Sequence, residues 1–247
     1  MAAVTPPLLV TRNLSRFFGG LKAVDRVDFA LPEGQVRAII GPNGAGKTTF
    51  VSLVCGRILP SSGSILFDGR EISHEPAHRR VRAGIAYTFQ ITSIFPNLTV
   101  FDNVALAAQR HLLDQKRVRP TEKTLQDACT KALDQVGLAQ RASHRAGNLA
   151  YGHQRLVEIA MGLALRPRLL ILDEPTQGLS DEEIEAFIRL VREIRREATI
   201  LLIEHNMDVV MALAECITVM DQGRILAEGP PAAIRADAAV QQAYLGG

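Results

Sequence analysis

Val36-Arg37-Ala38-Ile39-Ile40-Gly41-Pro42-Asn43-Gly44-Ala45-Gly46-Lys47-Thr48-Thr49 is the stretch on which the reading of the fold turns. Val36 to Ile40 is nearly all apolar, as expected of a strand buried on both faces. Gly41 to Thr48 fits G-x-x-x-x-G-K-[ST] without a mismatch, and a helix is predicted from Thr48 to Cys55. Strand, loop and helix in that order are the context the motif requires. Glycines at 41, 44 and 46 let the backbone curl so that successive N–H groups converge on phosphate oxygens. The helix N-terminus adds the positive end of its dipole. Lys47 places a cation on the β- and γ-phosphates, and the Thr48 hydroxyl completes the shell of a Mg²⁺ ion. The stretch therefore implies a nucleoside triphosphate site.

A second apolar run, Leu169-Leu-Ile-Leu-Asp173-Glu174, ends in two acids. Parallel strands deliver their functional groups at the carboxyl edge of a sheet, which puts this pair beside the phosphate loop. Asp173 suits the Mg²⁺ shell, reached through water. Glu174, one residue on, is expected to polarise the attacking water. A third apolar run, Ile200–Ile203, leads through Glu204 to His205. A neutral imidazole there can bond the γ-phosphate and hold Glu174 and water in line.

Outward from these segments, short apolar strands alternate with helical ones, the pattern of a mostly parallel sheet covered by helices. Strands are expected at Leu8–Asn13, Val27–Leu31, Val36–Ile40, Ser64–Phe67, Ile85–Thr88, Leu169–Asp173, Thr199–Glu204, Ile217–Asp221 and Arg224–Glu228. Ser180 and Glu183 form an S-x-x-E capping box, after which Ile184, Phe187, Ile188 and Val191 fall on one helix face. Between about Thr99 and Arg145 helical composition replaces the strands. The chain has 247 residues, is 47% hydrophobic and 22% charged, and carries a net charge of +2. That balance is ordinary for a globular protein and asks for neither nucleic acid nor an anionic membrane surface. Cys55, Cys129 and Cys216 stand far apart without metal-ligand spacing and read as reduced thiols. Met1 to Pro7 does not read as a secretory signal, and no run approaches the ~18 apolar residues of a membrane helix. Work at a membrane therefore means docking onto something that spans it.

Taken together, these segments resemble the ATP-binding subunits of ABC transporters over nearly the whole chain. The resemblance implies an α/β P-loop NTPase (RecA-like) core with an antiparallel β subdomain and an inserted helical subdomain. One ABC ATPase domain would cover 1–247, with the core in 1–90 and 151–247 and the helical subdomain in about 91–150. It implies ATP as substrate, Mg²⁺ as cofactor, and two such subunits closing face to face around two ATP molecules. Phe18, before Gly19-Gly20, resembles the aromatic that stacks on adenine; Phe17 is its neighbouring candidate and a core phenylalanine the competing reading. Gln90 in Tyr87-Thr-Phe-Gln resembles the Q-loop glutamine, which touches metal or water and senses the membrane partner. Leu149-Ala150-Tyr151-Gly152-His153-Gln154 occupies the place of the LSGGQ signature, which in the family binds the γ-phosphate held on the opposite subunit.

Two positions depart from the family. Ala150 replaces the signature serine and removes a hydroxyl donor, a hydrogen bond to a charged group being worth ~1.5–3 kcal/mol. The D-loop reads Gln177-Gly-Leu-Ser180, where Ser180 is equally a helix cap. Phe-Phe-Gly-Gly-Leu-Lys-Ala-Val at 17–24, Ile-Phe-Pro-Asn-Leu-Thr-Val at 94–100, Glu204-His-Asn-Met207 and Ala243-Tyr-Leu-Gly resemble the branched-chain (hydrophobic) amino-acid importer ATPases. Tyr87 departs from that branch, whose members usually carry arginine there. The branch implies integral-membrane permease subunits as partners, a second, related ATPase subunit rather than a copy, and an extracytoplasmic solute-binding protein acting indirectly. The location implied is peripheral, on the cytoplasmic face of the inner membrane. Ile91, Ile94 and Phe95 read either as contacts to a permease helix or as a buried hinge cluster. The alternatives are an ABC ATPase for urea, amides or lipid export, one for iron–sulfur cluster assembly, and a low-turnover ATP-dependent switch. Lipid-export relatives usually carry proline where this chain has Phe89. The coiled coils of DNA-repair relatives have no counterpart in the roughly hundred residues between phosphate loop and signature.

Overall fold

The structure is a computed structural model and describes residues 6–88, 93–116 and 121–245. Strands β1 (Leu9–Phe18) and β2 (Leu21–Leu31) form an antiparallel hairpin; β3 (Val36–Ile40) follows and leads into α1 (Lys47–Val54). Next come β4 (Ser62–Phe67), β5 (Arg70–Glu71), α2 (Ala77–Ala83) and β6 (Ile85–Thr88). Three helices, α3 (Val100–Lys116), α4 (Glu122–Gln135) and α5 (Tyr151–Ala164), precede β7 (Leu169–Asp173). The chain ends through α6 (Asp181–Ile194), β8 (Thr199–Ile203), α7 (Met207–Leu213), β9 (Cys216–Asp221), β10 (Arg224–Gly229), α8 (Pro231–Ala236) and α9 (Ala238–Leu245).

The strands make two sheets. One, in the order β2-β1-β4-β5, is antiparallel; the other runs β10-β9-β3-β8-β7-β6 and is parallel except for β10. The apolar runs of β3, β7 and β8 are buried at every residue, whereas β10 alternates exposed and half-buried positions at the sheet edge. One face of the parallel sheet packs with the antiparallel sheet and α1, through Ile39, Ile171, Leu201, Phe29 and Phe50 among others. The opposite face shares one continuous apolar cluster with α3, α4, α5 and α6, joining Leu170, Leu172 and Leu202 to Val104, Leu133, Val157 and Phe187.

The expected strands are present; β3, β6 and β7 have the expected ends, and the others differ at one or both. β1 and β2 run well past Asn13 and before Val27, because the hairpin continues through exposed polar residues and register shifts, with Asn13 and Arg26 at positive φ. Alternation fades where a bulge interrupts it. Helix α2 carries no apolar stripe, and its most buried side chain is Arg80, 1% exposed. That guanidinium donates to the carbonyls of Leu53 and Val54 at 2.6 and 2.9 Å and of Ser73 and Glu75 at 2.9 Å. It thereby donates to the last two carbonyls of α1, of which that of Leu53 also accepts from the Gly56 N–H at 3.2 Å. Helix α6 carries the expected capping box, Ser180 and Glu183 each bonding the other's backbone N–H.

Candidate active site

Strand register puts the three apolar runs at one level. Ile39 pairs with Ile203, and Ile203 with Asp173, so the chain leaves β3, β8 and β7 at the same edge of the sheet. From β3 emerges the phosphate loop. Gly46 caps α1 at φ 100°, and a Cβ there would run into the carbonyl of Ala23; at Gly41 it would strike the carbonyl of Met220. The loop is braced from outside by Gly223, whose N–H donates to the Ala45 carbonyl at 3.0 Å and whose carbonyl accepts from Asp25 at 2.8 Å. Asn43, Gly44 and Thr48 are exposed, Pro42, Gly46 and Thr49 half-buried, and Ala45 buried. Lys47 is buried, and its Nζ donates to the carbonyls of Gly41 at 2.6 Å and Pro42 at 3.0 Å. Burial holds the Lys47 ammonium below its ordinary pKa, against the attraction of Glu174 and Asp173.

Asp173, 1% exposed, closes β7. Its Oδ2 accepts a 2.6 Å hydrogen bond from the Tyr87 hydroxyl on the adjacent strand β6. Burial pushes the Asp173 carboxyl up from its ordinary range; the Tyr87 bond opposes that rise and the Glu174 charge adds to it. Burial likewise raises the Tyr87 phenol, so the hydroxyl stays a donor. Thr48 and Asp173 form a set of hard oxygens, one hydroxyl and one carboxylate. It suits Mg²⁺, which is usually held by few protein groups together with water and substrate phosphates.

Glu174 turns away from the strand at φ 46°, its N–H bonded to the Ile203 carbonyl at 2.9 Å. From the other side the buried Arg155 of α5 donates to the Glu174 carbonyl at 3.0 Å, while also pairing with buried Glu158 at 3.0 Å. His205 stands at the end of β8 with Nδ1 4.0 Å from Glu174 Oε1, its side chain 59% exposed. Beneath it lies Glu204, 1% exposed. Its carboxylate accepts from the backbone of His205 at 2.8 Å, of Asn206 at 3.1 Å and of Thr176 at 3.1 Å, and from the Thr176 hydroxyl. A fully bonded buried carboxylate ties the loop after Glu174 to the loop carrying His205. Sequence reading passed over Glu204, Arg155 and Thr176 as parts of this site. Glu204 adjoins a residue already singled out, and a charge at the end of an all-apolar strand was the signal available.

The signature segment opens α5. Ala150 is its exposed N-cap and makes no side-chain cap bond. Tyr151 is exposed, with its ring against Gly178. Gly152 is packed so closely on Glu183 and Leu179 that a side chain there would collide. His153 is half-buried. Gln154 turns its amide back to the Leu149 carbonyl at 2.9 Å. A cavity of about 680 Å³ opens between α4, α5 and α6, bordering Gly152 and His153 and not the phosphate loop. Phe18 ends β1, 45% exposed, with the Arg16 guanidinium 4.6 Å above its ring. Beyond this hairpin turn β2 passes the phosphate loop at Ala23. Phe17 is also exposed, so neither phenylalanine belongs to the core. Gln90 and Ile91 lie outside the described residues. Ile94 packs on the helical core cluster, whereas Phe95 is 53% exposed.

Residues 24–177 match the ABC transporter family, and residues 224–247 match the family described as branched-chain amino acid ATP-binding cassette transporter. The chain is 40% identical to the high-affinity branched-chain amino acid transport ATP-binding protein BraF of Pseudomonas aeruginosa, over 97% of this chain and 98% of that one. It is 37% identical to LivG of Escherichia coli, a protein of the same description, over 98% and 99% of the two chains. Among solved structures it is similar to a nucleotide-free ATP-binding cassette from an ABC transporter, with a TM-score of 0.88 and 28% identity. That likeness covers 98% of this chain and all of the other. An ATP-binding cassette in its ADP conformation is similar at a TM-score of 0.86 and 29% identity, over 98% and 100% of the chains. The phosphate loop, the two acids at the end of β7 and the histidine after β8 thus sit in a cassette matched over nearly its whole length, and the chain belongs to the ABC transporter ATP-binding family, whose members hydrolyse ATP to drive transport.

Proposed function

We propose that this chain is an ATPase subunit of an importer for branched-chain or other hydrophobic amino acids. It docks on integral-membrane permease subunits at the cytoplasmic face of the inner membrane. It works opposite a second, related ATPase subunit, and an extracytoplasmic solute-binding protein feeds the permease. The solute class rests on one observation, the agreement of residues 224–247 with the branched-chain amino acid cassette family. No helix among the described residues is long and apolar enough to cross a membrane.

In this reading the backbone N–H groups of 41–49 and Lys47 bind the phosphates of ATP, and Phe18 takes the adenine face. Thr48, Asp173 and Gln90 would hold Mg²⁺, which when bound neutralises charge developing on the phosphates. Glu174 accepts a proton from the water it orients, and His205, within reach of Glu174, keeps that water and the γ-phosphate in line. Ala150, Tyr151, Gly152, His153 and Gln154 close over the ATP of the opposing subunit, chiefly through the α5 N-terminal amides. The helical segment 91–150 then carries the motion. Its support is a seam of backbone bonds at 2.9 Å, Ala146 to Leu98, Gly147 to Pro96 and Val100 to His144, which joins the loop bearing exposed Phe95 to the loop entering the signature. A displacement of Phe95 by a permease helix would move both.

Purification in mild detergent from the membranes of the cells that make the protein, followed by mass spectrometry, tests the assignment. The reading predicts recovery of polytopic permease subunits and a second ATPase. Recovery of soluble partners alone would contradict it.

A further inference from the structure

Tyr87 lies on β6 in register with Ile171 of β7, so its side chain and that of Asp173 share one face of the sheet. The hydroxyl reaches Asp173 Oδ2 at 2.6 Å, the length of a charge-assisted O–H···O⁻ bond. The ring is fixed at the margin of the apolar cluster beneath α1, and the Arg57 guanidinium lies 5.7 Å from its centroid. A half-buried ring held on one strand thus grips a buried carboxylate on the next, in the residue that faces the phosphate loop. A carboxylate so held has one oxygen committed and the other left for the metal's shell.

We propose that Tyr87 is a positioning residue for the metal-facing carboxylate: its hydroxyl fixes Asp173 through Oδ2 and leaves Oδ1 as the oxygen offered to Mg²⁺. Tyr87 thereby sets how much tighter Mg²⁺·ATP binds than ATP alone. The inference rests on the reading of Asp173 as a metal-facing group. Partners that orient a ligating carboxylate are worth roughly tenfold or more in metal affinity, through the ligand they hold.

The test is equilibrium binding of a fluorescent ATP analogue to the full-length protein, titrated with Mg²⁺ and repeated with the metal chelated. Glu174→Gln is present throughout, so that hydrolysis does not intrude. Tyr87→Phe keeps the ring and its packing and removes only the donor; a thermal melt checks that it folds. The expected result is a Mg²⁺ half-saturation raised roughly tenfold, with metal-free binding unchanged. In an Asp173→Asn background the Tyr87→Phe change should add nothing. Equal weakening with and without the metal would overturn the proposal by making Tyr87 a general structural residue. An unaltered Mg²⁺ titration in Tyr87→Phe, beside a clear defect in Asp173→Asn, would overturn the role of Tyr87 alone. No defect in Asp173→Asn would remove the metal-facing reading and the proposal with it.

Discussion

At Ala150 the chain lacks the one side-chain oxygen that the signature would offer at the α5 N-cap, and the cap is exposed and makes no side-chain bond. The helix amides remain, so anion binding is weakened and not lost. Restoring the donor with Ala150→Ser adds one hydrogen bond to a charged group, worth ~1.5–3 kcal/mol where it is fully made. It serves also as a helix cap of about 1 kcal/mol. We expect Ala150→Ser to raise kcat of the assembled complex by roughly 10- to 10²-fold where that bond is fully made, read as steady-state phosphate release. An unchanged kcat would mean that the opposing phosphate does not meet this residue. Tyr87 and Glu204 are two further residues whose side chains shape the site. They differ from Ala150 in acting through a neighbour, Asp173 in one case and the Thr176 and His205 backbones in the other.

The elements that position the chemistry were legible wherever local sequence and final environment agree. The phosphate loop follows a strand buried at every residue and precedes a helix, as its pattern requires. The Ser180–Glu183 box, an i to i+3 signal, starts α6 where expected. Ser180 therefore has a structural role as the N-cap of α6. Helix α2 was not legible, because its core-facing residue is Arg80, buried by bonds to two carbonyls just before the helix and two at the end of α1. The same holds for the two long hairpin strands, where exposed polar residues and bulges erase the period of two. In the site, Lys47, Asp173, Glu174 and His205 were readable from motif and strand end. The bond from Tyr87 to Asp173 depends on which strand neighbours β7, and that is a property of the sheet order. Arg155 was hidden for a related reason: the carbonyl of Glu174 that it bonds comes within reach only when α5 docks on the loop after β7.

Across the whole molecule, two sheets must hold the phosphate loop between them, and Asp25 of β2 with Arg224 of β10 is one clasp that joins them. Arg224 reaches Asp25 Oδ2 through Nε at 2.9 Å and Nη2 at 2.5 Å, beside the backbone bond from Asp25 to Gly223. The hydrogen bond from Arg224 holds the Asp25 carboxyl below its ordinary range; burial opposes the shift, and the charges of Arg224, Arg26 and Lys22 reinforce it. A depressed folded-state pKa stabilises the fold above the unfolded value of about 3.9, and that contribution is lost as pH falls through the folded value. Arg224→Ala should therefore lower the urea midpoint at pH 7, and the difference from wild type should shrink below about pH 4. A difference independent of pH would show that the clasp acts through packing alone. In the proposed mechanism the edge where β3, β7 and β8 end hydrolyses ATP, with Glu174 orienting the water. Phosphate release by the assembled complex, compared between wild type and Glu174→Gln at matched nucleotide occupancy, tests it most directly. A fall of roughly 10²- to 10⁴-fold with ATP binding retained is expected, and rates indistinguishable from wild type would contradict the role of Glu174.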